Sequence, residues 1–287
     1  VYVVTGNPGP DYDATVRPGD NLWGDAICAI DLDTGELKWG FQYVPHDVWD
    51  YDGGCPPVLV DAEIDGVTIP AVGIFTKIGY FYLLNRHTGE LLSTSENYVP
   101  LENLFAPLTE DGVLIAPGSA GGTNWSPAAY NPMTKWVYSA NIHWPMVMTT
   151  RPGQEYREGS SYQGGNASFS NTDGRETWGN VIALDPVGGQ VQWEAKTELP
   201  MFSGVLVTAG GLVFAGQSQG SFDAWDAKTG EHLWAFKTEA GVNAAPATYE
   251  LDGKQYIVVS AGGSRYVRRD RDNPPQADAI IAFALPE

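Results

Sequence analysis

One phrase recurs along this 287-residue chain and restricts its fold more than any other feature: a small residue, an apolar residue, Asp, two further residues, then Thr-Gly, with a Trp soon after. It stands as Ala29-Ile30-Asp31-Leu32-Asp33-Thr34-Gly35 followed by Trp39, and as Ala224-Trp225-Asp226-Ala227-Lys228-Thr229-Gly230 followed by Trp234. A variant is Ala183-Leu184-Asp185-Pro186-Val187-Gly188-Gly189 followed by Trp193, and weaker copies are Leu84-Asn85-Arg86-His87-Thr88-Gly89 and Ala129-Tyr130-Asn131-Pro132-Met133-Thr134. The intervals, roughly 40 to 55 residues, are those of propeller blades of four strands. Asp and Thr bond the backbone of a tight turn, and Gly takes the positive φ that the turn requires. The Trp offers a flat apolar surface to a neighbouring blade, so Trp39, Trp193 and Trp234 are read as packing residues.

The segments before the phrases, such as Gly211-Leu212-Val213-Phe214-Ala215-Gly216 and Gln255-Tyr256-Ile257-Val258-Val259-Ser260, alternate and are β-branched, and no segment carries a helical period. With strands lettered A to D within a blade, the chain opens on B, C and D, continues with three fuller blades, and closes on A, B and C at Ala279-Ile280-Ile281-Ala282-Phe283-Ala284-Leu285. The expectation is an all-β fold, a partial β-propeller of about four and a half blades forming one domain over residues 1–287. Open strand edges are sticky. A second chain or a missing segment is therefore expected to complete the propeller, and a five-bladed ring joining the two partial blades is the weaker alternative. The polar stretch from Arg151 to Trp178 is read as an insertion between blades.

The 34 Gly, 20 Pro and 10 Trp fit a turn-rich β-protein. A balance of 16 basic to 35 acidic residues, net −19, argues against nucleic acid or an anionic membrane as partner. No run of 18 apolar residues exists to span a bilayer. The opening Val1-Tyr2-Val3-Val4 reads as a strand already under way, with no leader peptide. Two cysteines, Cys28 and Cys55, make no disulfide framework, and Cys28 is expected to be a buried thiol in a strand.

The chemistry-bearing motif is Pro45-His46-Asp47-Val48-Trp49-Asp50-Tyr51-Asp52-Gly53, with Gly6-Asn7-Pro8 upstream. Two carboxylates two residues apart and an amide can hold a hard cation and leave one carboxylate to take a proton. His46 and Asp47 are read as bracing the loop. The run Arg265-Tyr266-Val267-Arg268-Arg269-Asp270-Arg271-Asp272 is read either as a solvated loop or as a substrate mouth or docking rim.

These stretches, together with Arg17-Pro18-Gly19-Asp20-Asn21, Tyr82-Leu83-Leu84-Asn85-Arg86, Gly121-Gly122-Thr123-Asn124-Trp125, Ala209-Gly210-Gly211-Leu212-Val213-Phe214 and Asp252-Gly253-Lys254-Gln255-Tyr256, are similar to the C-terminal half of the quinoprotein alcohol dehydrogenases, which use pyrroloquinoline quinone (PQQ). The resemblance covers essentially the whole chain. It implies an eight-bladed propeller, of which this chain is about half, with quinone and metal in the central funnel. Asn7, Asp50 and Asp52 then resemble metal ligands, and Asp50 also the catalytic base. Lys77, Asn124 and Trp125 resemble cofactor contacts, and Phe202-Ser203 a loop whose backbone meets the quinone. Asp52 resembles the added carboxylate of lanthanide-dependent members, which suits a trivalent ion better than Ca²⁺.

The implied activity is oxidation of an alcohol in the periplasm. No Cys-x-x-Cys-His haem motif is present, so a separate acceptor such as a c-type cytochrome is expected to take the electrons. The family's glutamate ligand, its Trp floor under the quinone and its adjacent-Cys disulfide belong to the N-terminal half and have no counterpart here. The alternative reading is a non-catalytic propeller scaffold for protein interaction or assembly.

Overall fold

The structure, a computed structural model, describes residues 1–169, 172, 174–263 and 276–285. The run Arg265–Asp272 singled out above lies outside the described residues. Among the described residues every regular element is a β-strand, and the strands form six antiparallel sheets.

The first sheet has three strands, β1 (Tyr2–Val4), β2 (Ala26–Ile30) and β3 (Leu37–Gln42). The second is β4 (Val58–Ile64), β5 (Val67–Phe75), β6 (Phe81–Asn85) and β7 (Leu91–Thr94), paired in chain order. After β8 (Val113–Ile115) comes a third blade, β9 (Ala129–Asn131), β10 (Trp136–His143), β13 (Trp178–Leu184) and β14 (Val191–Thr197). The fourth is β15 (Val205–Val207), β16 (Leu212–Gln217), β17 (Ser221–Asp226) and β18 (His232–Lys237). The last is β19 (Ala247–Leu251), β20 (Lys254–Ala261) and β21 (Ala279–Ala284). Lettered as above, the sheets run B, C and D, then three times A to D, then A, B and C. β1 and β21 stand in different sheets, so they do not join into a five-bladed ring.

Two expectations need correction. The Arg151–Trp178 insertion does not lie between blades but inside the third one, between β10 and β13. There β11 (Met146–Thr150) and β12 (Gly165–Ser168) pair with β8 in a small extra sheet. The phrase at Asn131 is likewise no separate blade repeat. It forms the turn between β9 and β10, the A–B turn of a blade whose C–D turn is Asp185–Gly189.

The C–D turns explain the repeat. Asp31 Oδ1 accepts the Thr34 N–H at 3.0 Å and the Thr34 hydroxyl at 3.0 Å, and the Gly35 N–H closes onto the Asp31 carbonyl at 2.9 Å. Asp226, Thr229 and Gly230 repeat this arrangement. Two of the C–D turns receive a Trp from the preceding blade. The Trp193 indole N–H donates to Ala227 O at 2.9 Å, and its ring lies on Gly230, where an added Cβ would come within 2.7 Å. Trp39 does the same on the next blade's Asn85–Gly89 turn, donating to Arg86 O at 3.2 Å with its ring on Gly89. Trp234 instead joins Phe222, Phe236 and Phe283 in an aromatic group and stays partly exposed. Between blades the core is continuous: one buried cluster joins Phe75, Phe81 and Leu83 to Val137, Ile182 and Leu184, and the next joins Tyr138 and Val181 to Val213 and Trp225. Cys28 and Cys55 are both free and buried.

This topology sorts the chain by end. In a four-stranded antiparallel blade the A–B and C–D turns share one end, and the B–C turns and D–A crossings share the other. Asn7 and Lys77 lie in B–C turns, and Asp50, Asp52, Asn124, Trp125, Phe202 and Ser203 in D–A crossings. The repeat therefore builds one end of the blades, and every candidate site residue falls at the opposite end, together with the β11–β12 insertion.

Gly35 and Gly230 both have left-handed φ, +74° and +71°, but only Gly230 carries a Trp on its face. Gly35→Ala is expected to cost about 1 kcal/mol for backbone strain, and Gly230→Ala about 3 kcal/mol because the Trp193 ring must also move. Denaturant unfolding measures both, and equal costs would remove the Trp clamp from the account.

Candidate active site

The D–A crossing between β3 and β4 carries the Asp47–Asp52 motif, and its own side chains shape it. Asp47 is fully buried, and its two oxygens accept the N–H groups of Trp49 and Tyr51, each at 2.8 Å. Arg17 donates to Asp47 O at 2.6 Å and to Asn21 Oδ1 at 2.7 Å, and His46 Nδ1 lies 2.6 Å from Gly19 O. The Arg17-Pro18-Gly19-Asp20-Asn21 stretch thus ties the B–C loop of the first sheet to the motif, and His46 and Asp47 brace it. From the other side the Tyr51 hydroxyl donates to Pro117 O at 2.7 Å and the Trp49 indole to Ala106 O at 2.9 Å. So held, Asp50 sits at φ +61°, a strained conformation for a non-glycine residue.

Lys77 is brought to this loop from the β5–β6 turn. Its buried amine donates to Asp50 O at 2.8 Å and pairs with Asp50 Oδ1 at 3.2 Å and with Asp52 Oδ1. Gly121 permits this: at φ +80° it presents bare backbone to the Lys77 stem, where a Cβ would collide with Lys77 Cβ and Cγ. Gly122 N–H and Thr123 N–H bond the carbonyls of Lys77 and Thr76 at 2.6 and 3.3 Å. Below them Tyr98, Thr123, Asn141 and Asn180 form a buried hydrogen-bonded chain. Burial lowers the affinity of Lys77 for its proton, but the Asp50 and Asp52 charges outweigh it and the net shift is upward. Burial pushes the Asp50 carboxyl up to about 7, against the opposing pull of Lys77.

The remaining expected residues gather around this pair to differing degrees. Gly53 N–H donates to Thr5 O at 3.0 Å, which sets the Asp52 loop against the segment ending at Asn7. An added Cβ on Gly54 would meet the Asn124–Trp125 backbone at 3.1–3.2 Å, so these two crossings touch. The Trp125 and Phe202 rings stack at 5.0 Å. Asn124 Nδ2 donates to Ala120 O at 2.9 Å. The Ser203 hydroxyl is spent inside the fold, donating to Ala244 O at 3.0 Å and accepting the Gly216 N–H at 3.0 Å. Among the described residues no three His, Cys, Asp or Glu side chains are arranged to hold a metal, so Asn7, Asp50 and Asp52 form at most part of a ligand set. Their oxygens and their acidic surroundings fit a hard cation.

Two residues at the site were not singled out from sequence. Tyr12 is buried in the same B–C loop as Asn7; its hydroxyl bonds Ser119 and lies in the field of Asp50, and burial raises its pKa. Its loop packs on the insertion, Gly153 N–H donating to Asp13 Oδ2 at 3.2 Å and Tyr12 N–H to Gln163 O at 2.8 Å. Asp25 is fully buried, neither of its carboxylate oxygens has a hydrogen-bond partner, and the same holds for the Tyr43 hydroxyl. Burial, reinforced by Asp47 and Asp52, pushes Asp25 up to about 8. In the sequence Asp25 was one more turn residue before a strand, without a recognisable signal.

The chain is similar to known proteins over most of its length. The family model "PQQ: Glucose/ethanol/alcohol dehydrogenase, beta-propeller domain" matches residues 1–103, 95–179 and 174–257. The quinoprotein alcohol dehydrogenase PedH of Pseudomonas putida is 35% identical over 99% of this chain and 52% of its own length. A lanthanide-dependent methanol dehydrogenase of Methylorubrum extorquens is 33% identical over 91% of this chain and 47% of its own. The crystal structure of a quinohemoprotein alcohol dehydrogenase from Comamonas testosteroni superposes with TM-score 0.88 at 30% identity, covering 99% of this chain and 46% of that one. The chain belongs to the quinoprotein alcohol dehydrogenase family, and it spans about half the length of the curated relatives it matches.

Asp47, Asp50 and Asp25 are raised from 3.8 to about 6, 7 and 8. Over that window the folded chain holds protons that the unfolded chain has released, so stability falls as pH rises. Without added cation, the melting temperature is expected to decline from pH 5 to pH 8.5, as read by calorimetry. A rise across that range would contradict these carboxyl environments.

Proposed function

We propose that this chain supplies one side of the funnel of a PQQ-dependent alcohol dehydrogenase, oxidising an alcohol to the aldehyde or ketone. The observation that carries this reading is the Lys77 amine set between Asp50 and Asp52, within a loop that has the family's motif and relatives of that activity. Asn7, Asp50 and Asp52 would hold the cation. Lys77, Asn124, Trp125 and the Phe202–Ser203 backbone would line the cofactor. When bound, PQQ would supply the two-electron hydride-acceptor chemistry.

The chain's own part is proton handling and orientation. Asp50 accepts the alcohol hydroxyl proton as a general base. Lys77 holds Asp50 through both its carbonyl and its carboxylate, which fixes the oxygen that faces substrate, and it presents positive charge to the site. Trp125 stacked on Phe202 forms an apolar wall that excludes water.

Asp52 favours a trivalent lanthanide over Ca²⁺, because a second carboxylate at ligand distance gains more from the higher charge. A relative named as lanthanide-dependent and a superposing europium-containing methanol dehydrogenase (TM-score 0.82) support that choice. Electrons would pass to a separate c-type cytochrome in the periplasm. Among the described residues no helix is long and apolar enough to cross a membrane.

In dye-reduction assays of the full-length protein with PQQ and La³⁺, Asp50→Asn is expected to lower kcat/KM by about 10³-fold. Asp52→Ala is expected to impair activation by La³⁺ more than activation by Ca²⁺. Absence of activity with either ion would overturn the enzyme reading, and activation by Ca²⁺ alone would overturn the lanthanide assignment.

A further inference from the structure

Asp25 is a buried acid at this end of the blades that the mechanism leaves unused. It is wedged between the two loops that carry the proposed ligands. Its N–H donates to the carbonyl of Gly6, the residue before Asn7, at 3.3 Å, and its own carbonyl accepts the Tyr43 N–H at 3.0 Å. The Tyr43 hydroxyl in turn lies against Gly53, next to Asp52, where an added Cβ would be 2.8 Å from it. The side chain is fully buried with both oxygens unpartnered.

The other acids here are answered. Asp47 is bonded by two backbone N–H groups, Asp50 and Asp52 share Lys77, and Arg17 spends its N–H groups on carbonyls and on Asn21. Beside Asp47, Asp50 and Asp52, Asp25 alone has neither carboxylate oxygen hydrogen-bonded. Asp25, Asp47, Asp50 and Asp52 set four carboxylates against the two cations Lys77 and Arg17, and the charges acting most strongly on Asp25 are those of Asp47 and Asp52. A buried carboxylate without partners is costly unless a cation answers it.

We propose that Asp25 is a further acidic group of the cation site, lying behind Asn7 and Asp52, whose negative charge strengthens binding of a trivalent ion more than that of a divalent one. The inference rests on the cation reading given above. Asp25 acts through space as an electrostatic support rather than as a ligand. Its interaction energy scales with the charge of the ion, so the two ions should respond unequally to its loss.

The test is calorimetric titration of the full-length protein with La³⁺ and with Ca²⁺, in wild type, Asp25→Asn, Asp25→Ser and Asp52→Ala, with melting temperatures recorded before and after ion addition. Neutralising Asp25 is expected to weaken La³⁺ about 30-fold and Ca²⁺ about tenfold, in the three-to-two ratio of their energies. At pH 9, where the Asp25 carboxyl is ionised, the same change is expected to raise the melting temperature of the ion-free protein, because an unanswered buried charge is gone. Asp25→Ser provides the same readout if the Asn variant does not fold. Unchanged affinities, equal weakening of both ions, or a fall in the ion-free melting temperature would overturn the proposal. If wild type binds neither ion, or Asp52→Ala binds La³⁺ as wild type does, the cation reading itself fails and this proposal with it.

Discussion

A tryptophan laid on the Thr-Gly turn of the next blade is the contact on which the remaining geometry depends. At Trp39 and Trp193 one indole N–H reaches a turn carbonyl and one ring covers a glycine at positive φ. A hydrogen bond fixes the position of the turn, and the apolar ring face excludes water from it. Present at two of the blade junctions, this clamp fixes the spacing of those adjacent sheets at one end. The loops at the other end are tied to one another by contacts of their own, Arg17 to Asp47 O, Tyr51 to Pro117 O and Lys77 to Asp50. The repeated Asp-x-x-Thr-Gly turns lie at one end of the blades, and Asp50, Asp52 and Lys77 at the other.

At the functional end precision comes from backbone approach rather than from regular structure. Gly121 lets the backbone of one crossing lie on the stem of Lys77, and Gly54 lets the Asp52 loop touch Asn124 and Trp125. Asp47, placed between two N–H groups of its own loop, holds Asp50 at a positive φ that free chain would avoid. The site is thereby assembled in advance from three separate connections. Its acidity exceeds what Lys77 and Arg17 can answer, which is the electrostatic condition for a multiply charged ion.

Most of this architecture was legible because propeller blades are local units. The Asp-x-x-Thr-Gly turn and its Trp are written within about ten residues, and the strand count at both ends followed from them. The Asn131 turn was misassigned because an Asn-Pro-Met-Thr turn satisfies its backbone in the same way whether it joins A to B or C to D. The insertion was misplaced because polar composition marks a loop without saying which strands it connects. Asp50, Asp52 and Lys77 were legible as a motif and do meet in space. Asp25 and Tyr12 were not legible. Their significance arises only from burial beside residues distant in sequence, and no local pattern encodes that. Ser203 was legible by position, but its hydroxyl proved to serve the fold.

The central claim is that the Asp50–Asp52 pair, held by Lys77, marks where a multiply charged cation binds. Anomalous diffraction at a lanthanide absorption edge, from crystals of the full-length protein grown with PQQ and that lanthanide, locates the ion directly. The account expects one strong peak within ligand distance of Asn7, Asp50 and Asp52, with the Lys77 amine displaced from Asp52. A fully occupied ion elsewhere, with Lys77 still bridging both carboxylates, would contradict it.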